Sequence, residues 1–199
     1  MRALLWARAG VLPCRGQECG GERTACRGDQ GGAVAVRALI LGGARSGKSA
    51  FAERLTSSLG GARVLYVATA LVDGDEDLQR RIRLHRERRP WGWGTLEIGG
   101  LDEVLNAAER WDAVLLDSLT LWVSAREEPA LPEFDRFLVR ARALTVPFIL
   151  VSAEVGLGVV PESEAGRKFR DVLGLVNQRA AAAAEEVHLC VAGVDVRIK

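Results

Sequence analysis

The chain has 199 residues, 48% hydrophobic and 27% charged, enough for a sizeable buried core. Its 27 basic and 26 acidic residues leave a net charge of +1, without the lopsided basic excess of a general nucleic-acid binder. No apolar run reaches the length of a membrane span, and cysteine usage fits a reduced, cytoplasmic protein.

Residues 1–36 differ in character from the rest of the chain. They hold Cys14, Cys19 and Cys26, three of the four cysteines, and seven of the 22 glycines, with no sustained helical or strand period. The cysteine spacings are not the short paired spacing of structural zinc sites, and a fourth ligand is missing. Arg2 and Arg8 bracket an apolar stretch too short for a secretory signal. The segment is expected to be a disordered extension, or translation upstream of a true start near Val34 or Val36. Residues 37–199 are then a single domain.

In chain order, Arg37–Gly42 is a short apolar run ending in glycine, predicted as a buried strand. Phe51, Ala52, Leu55 and Leu59 come next at helical spacing from Lys48, and Gly60-Gly61 ends that helix. Val64–Ala68 reads as a second strand. Leu78, Ile82 and His85 mark a helix over 75–88, acidic in its first turn and arginine-rich in its last. Ala113–Asp117, Phe148–Ser152 and Val187–Val191 are predicted strands, and an alanine-rich helix is predicted over Ser163–Glu186. Short continuous apolar strands alternating with helices imply an α/β fold, its mainly parallel sheet covered by helices on both faces.

The junction of the first strand and helix carries chemistry. Gly42-Gly43-Ala44-Arg45-Ser46-Gly47-Lys48-Ser49 fits Gly-x4-Gly-Lys-Ser, with a strand before it and a helix after. Glycines let backbone N–H groups turn toward phosphates, and the helix N-terminus adds partial positive charge. Lys48 would reach the β and γ phosphates, and the Ser49 hydroxyl would ligate Mg2+. Asp117, closing an apolar strand, is the candidate acid that holds the metal through water; the alternative is an N-cap for Ser118–Ser124.

Arg80–Pro90 packs six arginines around His85, one of two histidines. On a helix Arg81 and His85 share a face. Arginine forks grip phosphate oxygens, and neighbouring cations would depress the His85 pKa, favouring the neutral, nucleophilic imidazole. A solvated basic helix is the competing reading, and the residues alone do not choose between them. His188, in the last predicted strand, reads as structural.

Together these motifs resemble the bifunctional adenosylcobinamide kinase / adenosylcobinamide-phosphate guanylyltransferase family of cobalamin biosynthesis. The matching blocks are Leu-Gly-Gly-Ala-Arg-Ser-Gly-Lys-Ser (41–49), Tyr-Val-Ala-Thr-Ala (66–70) and Arg-Ile-x-x-His-Arg-x-x-Arg-Pro (81–90). Leu-Asp-Ser-Leu-Thr-Leu-Trp-Val-Ser (116–124), Glu-Val-Gly-x-Gly-x-Val-Pro (154–161) and Phe-Arg-Asp-x-Leu-Gly-x-x-Asn-Gln (169–178) continue in order. The resemblance spans Ala38–Lys199 and implies a P-loop NTPase fold of RecA-like type. It implies phosphorylation of adenosylcobinamide by GTP or ATP, then transfer of GMP from GTP onto that phosphate through a GMP-histidine intermediate at His85. It further implies that Ala68, Thr69, Ala70, Arg86, Glu87, Arg88, Arg89, Glu97 and Asp117 lie at or beside GTP-binding positions, and that the chain forms a homotrimer. Ser124–Phe134 is shorter and richer in proline (Pro129, Pro132) than the family pattern. Glu154, Arg167, Arg170 and Asn177 either line the corrinoid side or serve helix capping and surface pairing. The rival readings are a P-loop small-metabolite kinase without guanylyltransferase activity and a nucleotide-dependent binding protein. A GTPase should carry Asn-Lys-x-Asp, which the sequence lacks.

Overall fold

The computed structural model describes residues 36–59, 63–69 and 90–199. Seven strands lie in one sheet: β1 (Val36–Gly42), β2 (Val64–Ala68), β3 (Gly94–Glu97), β4 (Ala113–Asp117), β5 (Phe148–Ala153), β6 (Ala184–Val191) and β7 (Val194–Arg197). Their order across the sheet is β3-β2-β4-β5-β1-β6-β7. The first six are mutually parallel, and β7 folds back antiparallel on β6. The described helices are α1 (Lys48–Ser58), α2 (Leu101–Ala108), α3 (Leu119–Arg126), α4 (Ala130–Ala141) and α5 (Glu164–Ala183).

The strands read as unbroken apolar runs because both faces are covered. In β1, Leu39 and Leu41 face one core while Ala38 and Ile40 face the other; in β4, Val114 and Leu116 oppose Ala113 and Leu115 in the same way. The larger core lies under α2, α3, α4 and α5, and includes the buried rings of Trp122, Phe134, Phe137 and Phe148. The smaller core lies under α1, whose Ala52, Phe51 and Leu55 pack over Ile40, Tyr66, Leu115 and Ile149. Helices on both faces of a mainly parallel sheet are thus the observed arrangement.

The alanine-rich helix stops three residues before its predicted end. Alanine propensity favours continuing it, but Ala184 and Glu186 pair instead with Val36 and Ala38 of β1. Arg37 adds ion pairs to Glu185 and Glu186. Sheet pairing outweighs local preference. Its start agrees with prediction, Ser163 Oγ accepting from Gly166 N at 3.1 Å. The proline-rich stretch is a tight link between α3 and α4: Pro129 is the N-cap of α4, and Pro132 sits in its first turn, where a missing N–H breaks no helical bond. β3, α2, α4 and β7 were not predicted from the sequence. The predicted 75–88 helix and the segment before Val36 lie outside the described residues.

Phe137 links α4 to the sheet, 5.8 Å between ring centroids from Phe134 and 5.5 Å edge-on from Phe148. Replacing it by alanine opens a cavity between layers, and Phe137→Ala is expected to lose about 3–5 kcal/mol in urea unfolding. A loss under about 1 kcal/mol would show that this stack does not hold α4 down.

Candidate functional site

The parallel strands bring their C-terminal ends to one edge of the sheet. In register, Gly42 lies between Ala153 and Cys190, and Ala68 lies between Asp117 and Glu97. The loop after β1 turns there into α1. A Cβ on Gly42 would stand 2.5 Å from Ser46 Oγ and 2.6 Å from the Cys190 carbonyl, so only glycine fits. Gly47 takes φ +90° as the N-cap of α1, a left-handed conformation that costs glycine little. Inside the loop Ser46 N donates to Gly43 O at 3.3 Å, and Gly193 N, from the β6–β7 turn, donates to Ser46 O at 2.9 Å. No side chain caps α1, and its first turn holds no acid, so its free N–H groups and dipole are left for an anion.

Lys48 Nζ donates to Gly43 O at 3.0 Å, folding the ammonium over the loop it would share with phosphates. Burial holds its pKa below 10.5, with Asp117 and Cys190 partly offsetting the shift. A desolvated cation beside empty backbone donors is one that gains from an incoming polyanion.

Asp117 closes β4. Strand alternation places it with Ala113 and Leu115 on the α1 face, and Tyr66 Oη donates to its Oδ2 at 2.9 Å. It is not the helix cap, because Ser118 takes that position, its Oγ accepting from Leu121 N at 3.4 Å. The capping role weighed for Asp117 therefore falls to Ser118. Ser49 Oγ and the Asp117 carboxylate are hard oxygen donors on one side of the sheet edge, a donor set that suits Mg2+ shared with a triphosphate. Two surface hollows among the described residues open beside α2, away from this edge. A phosphate loop binds through backbone donors and needs no enclosed cavity.

The structure also places the other predicted residues that it describes. Gly43, Ala44 and Arg45 form the exposed outer part of the loop, Arg45 at φ +56°. Thr69 is buried, its Oγ1 donating to Ser118 O at 2.6 Å and accepting from Ser118 N at 3.1 Å. Its hydroxyl braces the turn after Asp117. Glu97 sits exposed at the end of β3, four strands from β1, roughly 19 Å across the sheet. That is too far for phosphates at the loop. Ala70, His85, Arg86, Glu87, Arg88 and Arg89 lie outside the described residues. Of the four residues with two readings, Glu154 accepts from Gly156 N, Arg167 donates to Pro161 O and Glu162 O, Arg170 pairs with Asp171, and Asn177 donates to Ala153 O. These are capping and pairing roles. His188 is buried in β6 against Phe51, 3.3 Å from Glu186, as a structural residue would be. Sequence reasoning did not single out Tyr66, Thr120 or Gly193. Strand alternation alone would have placed Tyr66 on the Asp117 face; no local signal marks the other two.

The profile of the family described as cobinamide kinase / cobinamide phosphate guanyltransferase matches residues 38–198. The bifunctional adenosylcobalamin biosynthesis protein CobU of Escherichia coli is 39% identical over 181 residues, spanning 81% of this chain and 98% of its own. The bifunctional adenosylcobalamin biosynthesis protein CobP of Pseudomonas aeruginosa is 42% identical over 171 residues, spanning 82% and 98%. Among solved structures, a prototypical ATPase from the type III secretion system of pathogenic bacteria superposes with a TM-score of 0.51 at 12% identity, over 78% of this chain and 51% of that one. That likeness is one of fold.

The Lys48 shift has a sign that can be measured. The folded protein releases this proton below 10.5, whereas the unfolded chain holds it to that value. The unfolded state thus binds more protons in the interval just below 10.5, and folding gains stability as pH rises through it. Urea unfolding of nucleotide-free wild type and Lys48→Met, from neutrality to pH 10.5, should show the difference shifting toward wild type with rising pH. A flat or falling difference would contradict the depressed value.

Proposed function

The chain belongs to the cobinamide kinase / cobinamide phosphate guanyltransferase family, and on that premise we propose that one phosphate loop serves both of its reactions, with His85 as the covalent GMP carrier. It is an enzyme of cobalamin biosynthesis with cobinamide kinase and cobinamide-phosphate guanylyltransferase activity. The observation that carries the shared-site reading is Lys48, folded over the loop beside Asp117 at the end of β4.

In the kinase step the cobinamide hydroxyl oxygen attacks the γ-phosphorus of GTP or ATP, its proton passes to solvent, and the nucleoside diphosphate leaves. Lys48 and the loop N–H groups oppose the charge that gathers on the β–γ bridging oxygen, which is where fixed positive charge lowers the barrier most. In the second step an imidazole nitrogen of His85 attacks the α-phosphorus of GTP. The bond to pyrophosphate breaks, and a phosphoramidate forms. A phosphate oxygen of cobinamide phosphate then displaces the imidazole, giving the GDP-linked product and free His85. Two easier transfers replace one difficult one. The same loop holds the leaving pyrophosphate. Ser49 and Asp117 would hold Mg2+, which when bound neutralises phosphate charge.

Arg86, Glu87, Arg88 and Arg89 flank His85 and are proposed to hold the nucleotide around it, with Ala68, Thr69 and Ala70 beside the acid and Glu97 toward the guanine end. Residues 37–199 are proposed to act as one domain in a cytoplasmic homotrimer. No helix among the described residues is long and apolar enough to cross a membrane.

Incubation with α-labelled and γ-labelled GTP tests the chemistry. Acid-labile, base-stable label is expected on the protein from the α position and is expected to vanish in His85→Ala. Wild type that never takes up α-label would leave only the kinase. Lys48→Ala is expected to lose about 100-fold or more in both half-reactions; normal kinase turnover in that variant would refute the shared loop.

A further inference from the structure

Leu157 and Val159 are 85% and 95% exposed, and Val160 is 59% exposed. These three large apolar side chains fall within four residues of the β5–α5 connection, 154–163. Clustered exposure of this kind marks a surface that meets something apolar. The connection is also anchored at both roots. Ala153 N donates to Thr120 Oγ1 at 2.7 Å, Asn177 Nδ2 donates to Ala153 O at 3.1 Å, and Glu154 N donates to Gly42 O at 3.3 Å. At the far end Arg167 Nη1 donates to Pro161 O at 3.1 Å and Glu162 O at 2.6 Å. The ends are held while the apolar tips face outward.

Topology says where this surface stands. β1 and β5 are neighbours, yet the chain leaves β1 for α1 on one face of the sheet and leaves β5 for α5 on the other. Where adjacent parallel strands send their connections to opposite faces, a crevice opens beyond their C-terminal ends, and α/β proteins bind ligands in it. The phosphate loop follows β1 and residues 154–163 follow β5, so the two connections flank that switch point. With the triphosphate on the phosphate loop, an acceptor seated against residues 154–163 lies on the neighbouring strand's side of it.

We infer that Leu157, Val159 and Val160 form the apolar wall on which the corrinoid acceptor seats, with its hydroxyl or phosphate tail directed at the phosphate loop. The inference rests on the kinase and guanylyltransferase reading. A corrinoid carries a broad ring system studded with methyl groups, which three exposed aliphatic side chains can cover. Thr120, Asn177 and Arg167 act as positioning residues for the wall.

The test uses the full chain and the double substitution Leu157→Ser/Val159→Ser, made at exposed positions where folding does not depend on burial. Initial rates are measured against cobinamide and GTP separately, and molar mass is measured by light scattering. The KM for cobinamide is expected to rise about tenfold or more, as for lost apolar contacts in a binding site, with the KM for GTP and the molar mass unchanged. A cobinamide KM within about twofold of wild type overturns the wall. So does a fall in molar mass, which would make this surface a contact between copies of the chain. Wild type that takes up α-label from GTP but shows no saturable cobinamide dependence overturns the wall alone. Wild type with neither α-label nor cobinamide turnover overturns the underlying reading, and the wall with it.

Discussion

At Gly42 the backbone of β1 passes so close to β6 and to Ser46 that a single added carbon would collide with a hydroxyl and a carbonyl. The chain leaves the sheet and doubles back into α1 through that gap. The phosphate loop is its consequence: Ser46 O is held by the β6–β7 turn, Gly47 adopts the left-handed conformation that starts α1, and the first-turn N–H groups remain unpaired. The C-terminal hairpin thereby helps hold the loop. Gly193 approaches within 3.1 Å of where a Gly47 Cβ would stand, so both sides of this contact are glycine.

Around the loop, polar groups are arranged so that charge is left over at one place. Tyr66 orients Asp117, Thr69 braces the turn behind it, and Ser118 relieves it of capping duty. Lys48 is drawn partly out of water with that carboxylate nearby. Such a cation is a cost to the empty protein and a gain once phosphates arrive, which is why sites of this kind trade stability for binding. The neighbouring connection after β5 obeys the same logic in apolar form, presenting aliphatic side chains to solvent from firmly tied ends.

Much of the molecule is legible in its sequence. The loop pattern needs only glycines, a lysine and a serine at fixed spacing between a strand and a helix, all of it local. Buried strands announce themselves as apolar runs because both faces are covered, and Ser163 marks a helix start by its own hydroxyl. Asp117 as the strand-end acid is likewise open to inference. Other features are not. β3 alternates half-buried and exposed positions and is only four residues long, and β7 is exposed throughout, so neither carries a strong apolar signal. The end of α5 is misread because alanine propensity is local, whereas pairing of Ala184 and Glu186 with β1 joins residues about 150 positions apart.

The sequence by itself therefore determined the phosphate loop, the class of fold and the family, since each rests on residue types at short, fixed spacing. Only the tertiary structure decided which acid faces α1, that Thr69 serves the turn rather than open solvent, that Gly193 supports the loop, and that the connections after β1 and β5 leave to opposite faces of the sheet. Those depend on which strands become neighbours and which face each helix covers, and no short stretch of chain encodes a partner more than a hundred residues away.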